Sequence, residues 1–178
     1  MIGQDRVEDL GEDLRRAAAR LLERCRARGL TVATAESCTG GLVAGALTEI
    51  AGSSDVVDRG FVTYSNAAKQ AMLGVPAAIL KRHGAVSRET AEAMATGALA
   101  HAPVDLAIAI TGVAGPGGGS ADKPVGLVHF AAAARDGRLI HREKRFGDIG
   151  RSEVRLRSVA LALAMLELLA DGDVGAPP

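Results

Sequence analysis

The chain has 178 residues, 48% of them hydrophobic and 24% charged, with 21 basic residues balanced by 21 acidic ones. One domain of about 100–200 residues accounts for that length, it can bury roughly 70% of its unfolded surface, and the composition excludes a disordered or fibrous chain. Zero net charge argues against a general nucleic-acid binder, which carries a basic excess, and 2% aromatics leave few platforms for stacking single strands.

In chain order, residues 5–28 predict a helix: Leu10, Leu14, Ala18, Leu21, Leu22 and Cys25 keep near-helical spacing, and Gly29 stops it. Leu30 to Ala35 reads as a strand, Gly40 to Ile50 as a small-residue helix, and Val56 to Tyr64 as a second strand. Ala67 to Leu73 makes a helical turn or two, and Pro76 opens another short helix as its first residue. Ser87 to His101 is a helix with Ser87 at the N-cap and Ala91, Met94, Ala95, Ala98 and Leu99 inward. Val104 to Thr111 is a buried strand, residues 112–123 a Gly-rich loop, and Val125 to Ala134 with Leu139 to Phe146 a hairpin around Asp136-Gly137. Gly150 to Leu169 predicts a closing amphipathic helix, and residues 171–178 a frayed tail. Alternation of helices and strands predicts one α/β domain over 1–178, three layers α/β/α, with a mixed, mostly parallel sheet.

Two cysteines, Cys25 and Cys38, cannot build a disulfide scaffold and fit a reducing, cytoplasmic setting. The acidic, polar start lacks the order of a signal peptide, and no apolar run reaches the roughly 18 residues of a membrane span. His83, His101, His129 and His141 show no paired ligand spacing, so no metal is expected.

Four segments could carry chemistry. In Glu36-Ser37-Cys38-Thr39-Gly40-Gly41, between a strand and a helix, a Ser hydroxyl would emerge beside unpaired helix-start amides, a nucleophile and oxyanion donors in one turn. The plainer alternative makes Ser37 or Thr39 an N-cap. In Tyr64-Ser65-Asn66-Ala67-Ala68-Lys69, a buried lysine could take a serine proton; the alternative is a solvated helix lysine. Thr111 to Gly119 holds five glycines in nine residues, including Gly112, Gly115, Gly117 and Gly118. It could form an anion nest or serve as a flexible connection. It is neither a P-loop nor a dinucleotide fingerprint. Arg151, with Arg155 one turn on, could fork onto a phosphate or carboxylate, or lie on a solvated face with Glu153.

Together TAESCTGG (34–41), GFVTYSNAAK (60–69), GAVS (84–87), AITGVAGPGG (109–118), KPVGLV (123–128) and GDIGRSEVR (147–155) resemble the CinA C-terminal domain family, the nicotinamide-nucleotide amidohydrolases, in its standalone form. The resemblance covers residues 5–170. It implies hydrolysis of the carboxamide of nicotinamide mononucleotide to nicotinic acid mononucleotide and ammonia, in pyridine nucleotide salvage. It also implies Ser37 as nucleophile, activated by Lys69 and Tyr64, with Thr111 against the reacting amide. Arg151 would hold the substrate phosphate, and Cys38, Thr39, Gly40, Gly41, Gly112, Gly115, Gly117 and Gly118 would surround the substrate. No cofactor, nucleic acid or membrane partner is implied, and a homodimer or higher homo-oligomer is. Two other readings remain at this stage: a non-catalytic nucleotide-binding or regulatory module, and an amidase for another small amide.

Overall fold

The computed structural model describes residues 4–172, with the side chains of residues 4–10, Leu10 among them, and residues 173–178 of the expected tail outside the description. The chain runs α1 (Gln4–Arg28), β1 (Val32–Glu36), α2 (Leu42–Thr48), a short 3₁₀ turn (Ser53–Asp55), β2 (Val57–Val62), α3 (Asn66–Leu73), α4 (Ala77–His83), α5 (Arg88–His101), β3 (Leu106–Gly112), β4 (Leu127–Ala134), β5 (Leu139–Arg145) and α6 (Arg151–Asp171). The sheet order is β2-β1-β3-β4-β5. The pairs β2/β1 and β1/β3 are parallel, and β3/β4 and β4/β5 antiparallel, so only β4 runs against the rest.

Alternation along the central strands sets the layers, since successive side chains point to opposite faces. Leu106, Ile108 and Ile110 of β3, with Val128, Phe130 and Ala132 of β4, join α1, α2 and α6 in one core. Ala107, Ala109, Ala131 and Ala133 face the other way and meet Met94, Ala95 and Ala98 of α5. The run LAIAI is apolar throughout because both of its faces are covered.

Expectations for three helices shift in detail. α6 is not amphipathic. Val159, Ala162, Leu163, Met165, Leu166, Leu169 and Ala170 are buried on one side, but Ala160, Leu161, Ala164 and Leu168 on the other faces are apolar and half-buried rather than exposed, because the helix packs on the sheet and also against α1 and α2. It also continues to Asp171, where the carboxylate meets Arg24 and Gly172 closes the end. α2 starts at Leu42, not Gly40, because Gly40 and Gly41 hold left-handed conformations, φ +61° and +100°. Pro76 sits at the N-cap of α4, one residue before the first helical position.

Candidate active site

The topology marks one end of the sheet. From β1 the chain crosses by α2 on one face to β2, then by α3, α4 and α5 on the other face to β3, so the connections diverge at β1. Ligands in open α/β sheets bind outside the carboxyl ends of the strands at such a switch point. Here those ends carry Ser37 after β1, Thr63 and Tyr64 after β2, and Thr111 next to the last residue of β3. The Ser37 amide donates to the Ile110 carbonyl and the Thr63 amide to the Glu36 carbonyl, which locks the three ends together.

Ser65 starts α3, its hydroxyl accepting from the Ala68 amide at 3.0 Å. One turn into that helix Lys69 points inward and is 1% exposed. Its Nζ donates to Ser37 Oγ at 2.9 Å and to the Thr63 carbonyl at 2.7 Å. Burial pushes the Lys69 pKa below its ordinary value, because an ammonium stripped of water is penalised. The solvated-lysine alternative is thereby excluded. Cys38 beside it is also buried, which pushes its thiol up to about 12 and leaves it protonated at neutral pH.

Neither Ser37 nor Thr39 caps α2. That task falls to Glu36, fully buried, whose Oε2 accepts from the amides of Gly41 (3.0 Å) and Val43 (3.1 Å) and whose Oε1 accepts from Ala44 (2.9 Å). The sequence pattern contained Glu36 but gave it no role; a carboxylate four residues before a glycine pair at a helix start was the available signal. The Gly40 amide donates back to the Ser37 carbonyl at 3.0 Å and so is not free for an oxyanion. The amides of Cys38 and Thr39 donate to no other residue among those described, the Cys38 amide facing only its own sulfur, while Thr39 Oγ1 is buried without a partner.

Ser37, Cys38, Tyr64, Lys69, Ala85, Val86, Thr111, Gly112, Ala114 and Arg151 line one cavity of about 220 Å³. Thr111 Oγ1 donates to the Ala85 carbonyl at 2.7 Å, fixing its hydroxyl in the wall. Ala85 and Val86 belong to GAVS, a stretch that chemistry alone would not select. Tyr64 is 63% exposed at the rim, and its hydroxyl accepts from Arg151 Nη2 at 2.7 Å rather than meeting Lys69. Arg151 Nη1 donates to the Gly115 carbonyl at 2.9 Å. Thr39, Gly40 and Gly41 shape the turn, and Gly115, Gly117 and Gly118 stand outside the cavity lining. A larger depression of about 710 Å³ lies over α3, α4 and α5, but none of these groups faces it. His129 and His141 come within 3.1 Å because of the hairpin register, which their spacing does not reveal. Among the described residues no cluster of three or more His, Cys, Asp or Glu side chains could hold a metal ion, and no helix is long and apolar enough to cross a membrane.

Residues 14–170 match the family model described as the CinA C-terminal domain. A "CinA-like protein" of Synechococcus is 52% identical over 159 residues, 89% of this chain but 38% of that protein. A "Nicotinamide-nucleotide amidohydrolase PncC" of Enterobacter agglomerans is 52% identical over 139 residues, covering 78% of this chain and 84% of its own length. The crystal structure of the competence/damage inducible protein CihA from Agrobacterium tumefaciens superposes with TM-score 0.87 at 60% identity, over 88% of this chain and 95% of that one.

Proposed function

The chain belongs to the CinA C-terminal domain family, and on that premise we propose that it hydrolyses the carboxamide of nicotinamide mononucleotide to nicotinic acid mononucleotide and ammonia. The observation that carries the reading is the 2.9 Å contact between buried Lys69 and Ser37 Oγ. A relative named nicotinamide-nucleotide amidohydrolase, 52% identical over 139 residues, supports the choice of substrate.

A neutral amine has one lone pair and two N–H groups. With one N–H on the Thr63 carbonyl, the lone pair of Lys69 is left to accept the Ser37 proton. Ser37 Oγ attacks the carboxamide carbon, and the proton passes to Lys69 Nζ. The oxyanion meets the free amides of Cys38 and Thr39, a term worth about 2.7–4 kcal/mol for each donor. The C–N bond then breaks and Lys69 returns the proton to the departing ammonia. Water, deprotonated by the same amine, releases the acyl group from Ser37. Thr111 orients the amide, Arg151 holds the phosphate, and Tyr64 positions Arg151 at the rim. Gly112 presents bare backbone in the cavity wall, and the Gly115 carbonyl holds Arg151.

A binding module would gain nothing from a neutral lysine against a serine, so the non-catalytic reading is the weaker one. Action within pyridine nucleotide salvage, in the cytoplasm and as a homodimer or higher oligomer, belongs to the same proposal. The test is ammonia release from nicotinamide mononucleotide, with nicotinamide riboside and nicotinamide compared alongside. Ser37→Ala is expected to lower kcat on the order of 10⁴–10⁶-fold, as loss of a serine nucleophile does. Near-normal turnover by folded Ser37→Ala would overturn the covalent route, and turnover of nicotinamide as fast as of the nucleotide would point to an amidase for another substrate.

A further inference from the structure

Arg155 departs from its neighbours on α6. Arg157 forms the ordinary surface pair, Nε to Glu153 at 2.8 Å. Arg155 meets no carboxylate among the described residues. Its guanidinium turns inward, Nε donating to the Cys38 carbonyl and Nη2 to the Thr39 carbonyl, both at 3.1 Å. Those carbonyls belong to the turn that carries Ser37.

The bonds form two relays. A peptide group whose carbonyl accepts a hydrogen bond becomes a better N–H donor, and a cationic donor strengthens the effect. The Cys38 carbonyl, held by Arg155, shares its peptide with the free Thr39 amide. The Thr39 carbonyl, also held by Arg155, shares its peptide with the Gly40 amide, which donates to the Ser37 carbonyl. That carbonyl in turn shares its peptide with the free Cys38 amide. Both free amides thus lie at the ends of hydrogen-bond chains that begin on one guanidinium. On the opposite side Glu36 fixes the same turn through Gly41, Val43 and Ala44.

We propose that Arg155 is a positioning residue for the oxyanion hole: its guanidinium orients and polarises the Cys38 and Thr39 amides toward negative charge developing beside Ser37. It rests on the hydrolytic reading above and acts through backbone, without touching substrate.

The experiment compares wild type, Arg155→Met, Arg155→Lys and the control Arg157→Met in the full chain, each checked by thermal melting. Two readings are taken: the kinetics (kcat and KM) for nicotinamide mononucleotide, and the affinity of phenylboronic acid, whose tetrahedral adduct on a serine is an anion with a hydroxyl in the oxyanion position, followed by ¹¹B NMR. Arg155→Met is expected to lower kcat roughly 10- to 100-fold, short of the 10²–10³ typical for removing a donor outright. Its KM should hold and its boronate affinity should fall in step with kcat. Arg155→Lys should fall between, since an ammonium cannot fork onto both carbonyls. Arg157→Met should match wild type.

A folded Arg155→Met with boronate affinity and kcat within twofold of wild type would overturn the inference. So would a loss confined to KM or to melting temperature, or wild-type protein that fails to capture the boronate. If Arg155→Met does not fold, Arg155→Lys decides by the same two readings. Wild type that captures the boronate but releases no ammonia from the nucleotide would sink the proposed substrate and leave the role of Arg155 to the boronate series.

Discussion

At the scale of single residues, Lys69 shows how burial becomes chemistry. Its stem crosses the interior and its amine ends against Ser37 and the Thr63 carbonyl, with no carboxylate paired to it among the described residues. Desolvation therefore favours the neutral amine and lowers its pKa from the ordinary 10.5. Turnover should follow the neutral fraction, so kcat/KM is expected to rise with pH up to the lowered pKa and then level off, an inflection that Lys69→Arg would remove along with activity. The same shift acts on folding. Between the lowered pKa and 10.5 the unfolded chain binds a proton that the folded chain does not, so stability rises with pH across that window and is lowest below it. Lys69→Met keeps most of the stem and removes the charge. It is expected to abolish turnover yet unfold at higher urea concentration than wild type at neutral pH, with the advantage shrinking as pH approaches 10.5. An advantage that stayed constant across pH would mean that the amine is solvated when folded. The sequence placed Ser37 and Lys69 as candidates but not their distance, because nothing in a five-residue spacing from Tyr64 says which way a helix lysine faces.

At the scale of elements, close approach sets the limits. The alanines of β3 and β4 draw α5 down onto the sheet, and Gly97 draws α3 onto α5: a Cβ there would stand 2.0 Å from the Leu73 carbonyl oxygen. Backbone cannot swing aside as a side chain can. Gly97→Ala is expected to destabilise by about 3 kcal/mol, the upper part of the range for overpacking. It should also lower activity, since α3 carries Lys69. Gly45→Ala, in a helix where nothing stands within 4 Å, should instead add about 0.5–1 kcal/mol. Urea unfolding of both variants checks the opposite signs. Elements with local causes were legible in the sequence. Ser87 caps α5 through the Thr90 amide at 3.2 Å, and Asp136-Gly137 turns the hairpin, because a cap or a tight turn is decided within a few residues. The partial burial of the other faces of α6 was not legible, because it follows from packing against α1, a contact between opposite ends of the chain.

At the scale of the whole molecule, the site is a product of topology. Ser37, Lys69, Thr111 and Arg151 come from four separate stretches, and the switch at β1 brings them to one cavity. Their order along the chain was readable from motifs, whereas the role of Glu36 and the inward turn of Arg155 depend on which carbonyls and amides α2 and α6 present. Arg151 completes the assembly from the last helix, linking the Tyr64 hydroxyl on one side of the cavity to the Gly115 carbonyl on the other. Those two bonds hold the guanidinium across the rim with N–H groups to spare for an anion. A hydrogen bond to a charged group is worth about 1.5–3 kcal/mol, and every 1.4 kcal/mol is about tenfold in affinity. Arg151→Ala is therefore expected to raise KM for nicotinamide mononucleotide by roughly 10- to 100-fold. KM for nicotinamide riboside, which lacks the phosphate, should change by no more than about twofold. Binding energy from a remote phosphate can also be spent on orienting the reacting amide, in which case kcat for the nucleotide falls as well while the riboside stays unaffected. Equal losses for both substrates would remove Arg151 from the phosphate and leave it a strut between Tyr64 and the Gly115 carbonyl.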